Sequence, residues 1–147
     1  MRTVRMLATA AVLLAPAACV GIFDVWGPSG TYDLSSANGQ RVPAVVFSQS
    51  GTSPLTITLL GGQVRLRDDH SFRMDVDYLE FDGHQETRYT QGISGHWSED
   101  RETVWLDYFD PDTGDRSSLA ANEYHDQLEM TIAGATDGTT IRIVFVR

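Results

Sequence analysis

The sequence predicts an all-β domain: an antiparallel up-and-down β-barrel of about eight to ten strands, with a β-sandwich as the runner-up. Three observations lead there. Apolar and polar residues alternate along much of the chain, most plainly from Gly61 to Phe81. Turn signals recur at roughly 8–12-residue spacing. No stretch sustains an apolar period of about 3.6 residues, so helix does not compete. Sequential hairpins without long crossovers favour a meander, and closing it removes the strand edges that would otherwise invite aggregation.

The hairpin around residues 64–78 is the clearest element. Val64 and Leu66 alternate with Arg65 and Arg67; then Phe72, Met74, Val76 and Tyr78 alternate with Arg73, Asp75 and Asp77. Two period-2 segments around a polar turn give one oily face and one charged face. Asp75 and Asp77, lying with Arg73 on the charged face, are expected to form cross-strand ion pairs.

Taken in order, Gly30–Ser35 reads as a first strand with Tyr32 and Leu34 on one face, and Asn38-Gly39 as the turn after it. Val42–Phe47 follows as a strand whose start Pro43 weakens, because proline cannot donate to a ladder. Ser48–Pro54 reads as a polar loop, Leu55–Leu60 as an alternating strand, and Gly61-Gly62 as a turn into the hairpin. After Asp82-Gly83 come strands over Glu86–Gln91, running on to Trp97, and over Val104–Phe109. Asp110–Asp115 reads as a turn. Ser117–Ala121, Gln127–Ala133 and Thr139–Val146 complete the set, with Asp137-Gly138 as the last turn.

The 147 residues carry a formal charge of −9, and all eleven basic residues are arginine. The acidic balance and the absence of a basic patch argue against nucleic acid as a partner. Cys19 is the single cysteine, so the core must hold itself together without an internal disulfide.

Residues 1–18 read as a secretory signal peptide. Arg2 and Arg5 form the positive n-region, Met6–Leu14 the apolar h-region, and Ala15-Pro16-Ala17-Ala18 the small-residue end. Their removal leaves nine arginines against twenty acids, a charge of −11. Ala17-Ala18-Cys19 resembles the end of a bacterial lipobox, although Pro16 stands where that pattern prefers an aliphatic residue. Cleavage after Ala18 would free Cys19 for lipidation and attach the protein to a membrane; cleavage after Ala17 would leave a lone thiol. Residues 19–29 are then a tether. Phe23, Val25 and Trp26 within it either plug one end of the domain or rest at the membrane interface. Residues 30–147 form a single domain. The expected location is the cell envelope or periplasm, membrane-anchored, or otherwise secreted.

Gly30-x-Tyr32-x-Leu34, Asn38-Gly39-x-x-x-Pro43, Gly62-x-Val64-x-Leu66-x-x-Asp69-x-Ser71-Phe72, Gly95-x-Trp97 and Phe145-x-Arg147 together resemble small bacterial lipocalin-like envelope proteins. The resemblance implies a barrel that carries an apolar ligand or presents a binding surface; it implies no catalytic residues. Such proteins usually have Asp-Gly where this chain has Asp69-His70. Glycine there supplies a positive φ, which predicts a positive φ at His70.

No Gly-x-Ser-x-Gly elbow, phosphate loop or Cys/His dyad is present, so a non-enzymatic role is expected, without cofactor. The four histidines share no metal-ligand spacing, and His96 alone lies on a strand where it could face a cavity. Asp110–Asp115 lacks the EF-hand spacing of glycine and bidentate glutamate. Two functions remain open. In one, a small apolar ligand or lipid sits inside the barrel against Tyr32, Phe72, Met74, Tyr78, Trp97, Met130 and Phe145. In the other, those side chains fill the interior, and the protein acts through its surface as a structural or protease-inhibitor-like module. Trp105 and Phe109, opposite the face of Val104, Leu106 and Tyr108, are then the candidate surface for an envelope protein partner; alternatively Trp105 packs under Trp26. An apolar pocket of about 300 Å3 or more, open at one end, discriminates between the two functions.

Overall fold

The computed structural model describes residues 27–134 and 138–147. Ten strands follow in chain order: β1 (Gly30–Ala37), β2 (Gln40–Arg41), β3 (Ala44–Gln49), β4 (Leu55–Leu66), β5 (Ser71–Phe81), β6 (Glu86–Asp100), β7 (Thr103–Phe109), β8 (Arg116–Tyr124), β9 (Gln127–Ala133) and β10 (Thr140–Val146). From β3 to β10 each strand pairs with the next; β10 then pairs with β1, and β1 with β4. All these pairings are antiparallel. The ring of β1 and β4–β10 is a closed eight-stranded up-and-down barrel, a lipocalin-like architecture, as the alternation predicts.

The seam of the ring is short. Only Gly30–Asp33 of β1 pairs with β4, against Gln63–Leu66. Beyond that, β1 turns at Asn38-Gly39 onto β2, while the first half of β4 pairs with β3. The two halves of the seam therefore part towards one end of the barrel, where β2 and β3 lie. The turns β5–β6 and β7–β8, the end of β9 and the start of β10 surround that end, here called the mouth.

Inward rows of alternate strands supply the core, and among the described residues every buried side chain is apolar. Each fully buried Leu, Ile, Phe or Met is worth about 1.5–3 kcal/mol relative to exposure. The outward rows carry charge. Arg73 pairs with Asp75 of its own strand at 2.7 Å, and Arg88 reaches across from β6 to Asp77 at 2.8 Å. Asp77 thus forms the expected cross-strand pair, whereas Asp75 is held from two residues away.

The end opposite the mouth is closed by two side chains. The Tyr32 hydroxyl donates to the Pro28 carbonyl at 2.8 Å and accepts from Arg147 Nη2 at 2.6 Å. The Arg147 guanidinium also lies 4.8 Å from the centre of the Tyr32 ring and donates to the Ser29 carbonyl. In its described part, Gly27–Ser29, the tether is therefore tied to this end. Trp97 donates its indole N–H to the Arg67 carbonyl at 2.9 Å and stacks on His70, ring centres 4.8 Å apart. His70 has φ 63°, the left-handed turn conformation expected of it.

Some elements differ from the sequence expectation. Gly61-Gly62 is no turn: β4 runs unbroken through it, with a bulge between Leu59 and Gly61. A Cβ on Gly62 would lie 2.6 Å from the Asp75 carbonyl oxygen, so this glycine permits close approach of the β5 backbone. The strand expected over Val42–Phe47 begins only at Ala44, past Pro43, and runs on to Gln49 into the expected loop. His96 is exposed on the outward row, opposite Ser71 and Asp107, and faces no cavity. Asp110–Asp115 is the expected turn, with the Asp110 side chain accepting from the Asp112 and Thr113 amides. Asp137, the signal peptide, Cys19 and Trp26 lie outside the described residues.

Candidate ligand-binding cavity at the barrel mouth

The inward rows change character along the barrel. Towards the closed end, the large side chains of Tyr32, Phe72, Trp97, Met130 and Phe145 pack with Leu66, Leu106 and Leu128. Towards the mouth, the same rows carry mostly branched aliphatic residues: Ile57 and Leu59 from β4, Ile93 from β6, Leu119 from β8, Ile132 from β9, Ile141 and Ile143 from β10. Smaller side chains on a ring of unchanged strand number leave space. The result is an open cavity of about 440 Å3.

Val46 of β3 also lines it, so the strand that occupies the parted seam forms part of the wall. On β5 the lining row is Met74, Val76, Tyr78 and Glu80, apolar at depth and polar at the rim. Gln91 of β6 and Tyr108 of β7 complete the polar groups. Tyr78 stacks on Tyr89 across the β5–β6 ladder, with ring centres 5.3 Å apart. Burial pushes the Tyr78 phenol above its ordinary value, and the nearby charges of Glu80, Tyr89 and Asp112 push the same way. It stays a neutral donor and acceptor at physiological pH.

Of the seven residues expected to line one interior, Met74 and Tyr78 line the cavity. Tyr32, Phe72, Trp97, Met130 and Phe145 are buried in the packed core away from it. The aliphatic lining residues are not among the seven, because alternation marks which face is inward without giving its free volume. Side-chain size was the available signal: the large aromatics fill space, and the aliphatic stretch beside them leaves it.

Trp105 and Phe109 lie on the outer face of β7, 40 % and 71 % exposed. Trp105 is flanked by Ser98 and Ala120, and Phe109 by Arg116. A second, smaller groove of about 110 Å3 crosses the outer face of the β4–β5 hairpin between Gln63, Arg65, Arg67, Arg73 and Asp75. There Arg65 and Arg73 stand directly opposite each other, and Asp75 and Gln63 hydrogen-bond one each. Among the described residues no group of three His, Cys, Asp or Glu side chains is arranged to hold a metal ion. No protein-family model, curated protein or solved structure matches the chain.

Proposed function

We propose that this protein binds a small apolar ligand or lipid in the mouth of its barrel, in the cell envelope, held to a membrane by lipidation of Cys19. The cavity carries the reading. At about 440 Å3 it lies within the roughly 300–1,000 Å3 of ordinary small-molecule sites, and its apolar depth with a few polar groups at the rim is their usual make-up. A barrel of about eight strands has room for one such ligand when its inward side chains are modest in size. The signal-peptide pattern and the lone Cys19 support the envelope location and the anchor.

Native mass spectrometry of protein purified from its own membranes tests both parts, since it reports acylation of Cys19 and any retained ligand. Binding is checked separately with the neutral dye N-phenylnaphthylamine. The native protein is expected to take up one dye molecule with increased emission, and Leu119→Trp, which fills the cavity, to abolish uptake while the protein stays folded. No retained ligand together with no dye uptake by the native protein would sink the proposal. The exposed Trp105 and Phe109 favour a second reading, a surface for an envelope partner protein. Cross-linking in intact cells that is lost on Trp105→Ser with Phe109→Ser would support it.

A further inference from the structure

We infer that the cavity takes a cationic amphiphile, such as an alkylamine or a quaternary ammonium compound, in preference to a carboxylate of the same chain length. This rests on the ligand-binding reading above. Glu80 occupies the outermost inward position of β5 and lines the cavity. Among the described lining residues it is the only Asp, Glu, Arg, Lys or His. A carboxylate headgroup seated there would find no cation to pair with and would stand beside another carboxylate. Bringing an unpaired charge out of water is expensive, and a like charge adds to the cost.

The remaining rim groups suit a cation. Tyr78 and Tyr108 line the cavity, and Tyr89 stacks on Tyr78 at its edge. Aromatic faces attract ammonium groups, quaternary ones included. The surrounding turns and strand ends carry Asp82, Glu86, Asp110, Asp112 and Asp115, with His84, against Arg41, Arg88 and Arg116. Arg88 is already paired with Asp77, and Arg116 lies 3.8 Å from Asp107. The balance of charge that an approaching headgroup meets is therefore negative.

The test compares three ligands of one chain length, each below its critical micelle concentration and at low salt: dodecyltrimethylammonium, dodecanol and dodecanoate. Each competes with N-phenylnaphthylamine on the full protein. The expected order is ammonium, then alcohol, then carboxylate, with the ammonium compound at least about tenfold tighter than the carboxylate. Glu80→Gln should narrow that ratio by about tenfold while the dye still binds. Asp100→Asn, which removes one charge at the closed end, should leave the ratio unchanged and so separates Glu80 from the overall charge of the protein. Dye uptake with equal affinities, or with the carboxylate tightest, overturns the inference and leaves the ligand-binding reading standing. An unchanged ratio in Glu80→Gln does the same. If neither the dye nor any of the three binds, the ligand-binding reading itself falls.

Discussion

Arg147 does more than its exposed position implies. Its guanidinium donates to the Tyr32 hydroxyl, the Ser29 carbonyl and, at 3.3 Å, the Gly27 carbonyl, while lying over the Tyr32 ring. Arg147→Ala removes one hydrogen bond to a buried tyrosine, two to backbone carbonyls and a cation–π contact together, and should cost about 1–3 kcal/mol. Arg147→Lys should recover only part, because an ammonium cannot reproduce the planar fork. Denaturant titration of the two variants checks this; equal stability of Arg147→Ala and the native protein would show that the closed end is held by packing alone. Glu123 sits close by with the opposite sign. Burial raises its carboxyl above the ordinary value and Glu99 adds to the rise, with Arg147 only partly offsetting them. A raised acid favours the folded state while protonated, and that contribution is lost as pH climbs through its folded value. At neutral pH the ionised Glu123 is thus a net cost. Glu123→Gln should raise the neutral-pH melting temperature, by under about 1 kcal/mol in stability since the group is partly exposed, and the gain should vanish near pH 4. Asp69, Asp77, Asp82 and Glu129 behave the other way, held low chiefly by hydrogen bonds from Ser71, from Thr90 and Arg88, from the amides of Gln85 and His84, and from Arg142 respectively. Their contribution is lost as pH falls through their lowered values, in native protein and variant alike.

The strands of the central hairpin were legible because a half-buried strand writes its period directly into the sequence, and β5 and its partners keep that period almost without error. The positive φ of His70 was legible for a different reason: it stands where the lipocalin-like proteins that the sequence resembles usually carry glycine, the residue that takes a positive φ at no steric cost. Glycine was harder to read. Gly61-Gly62 has the composition of a turn, yet β4 passes straight through, because a glycine needed for close approach looks the same in sequence as one needed for turning. Gly95 is the sharper case. A Cβ there would lie 2.0 Å from the Asp107 carbonyl oxygen and 3.1 Å from the Phe72 ring, so β6 must part from β7 to admit even a methyl group, with Phe72 giving way as well. Gly95→Ala should therefore destabilise the barrel by about 1–3 kcal/mol, whereas alanine at exposed Gly92, whose nearest neighbour is the Asp75 side chain, should cost less. Thermal unfolding of the pair checks the order. The cavity was legible only in part: Met74 and Tyr78 line it as expected, but its position at one end was not legible. It depends on where β1 leaves β4 and on how large and small inward residues sort between the two ends, and neither follows from alternation.

The molecule has two unlike ends, and their placement sets how a ligand would reach it. Gly27 lies at the closed end, under Arg147, while the cavity opens at the other. The eight peptide steps from Cys19 to Gly27 reach at most about 28 Å even when fully extended. With Cys19 acylated, as proposed, the closed end is held near the bilayer and the mouth points into the aqueous space. An acidic mouth gains from this arrangement, since anionic headgroups repel it. A ligand would then arrive from solution, or be delivered by another carrier, instead of sliding in from the supporting membrane. The orientation is measurable. In acylated protein on vesicles, a fluorophore attached through Asp100→Cys, at the closed end, should be quenched strongly by nitroxide-labelled lipids, and one attached through Asp112→Cys, on the β7–β8 turn at the mouth, only weakly. Equal quenching would mean that the barrel tumbles freely on its tether. The reverse order would place the mouth against the lipid, and the ligand would then be drawn from the bilayer itself.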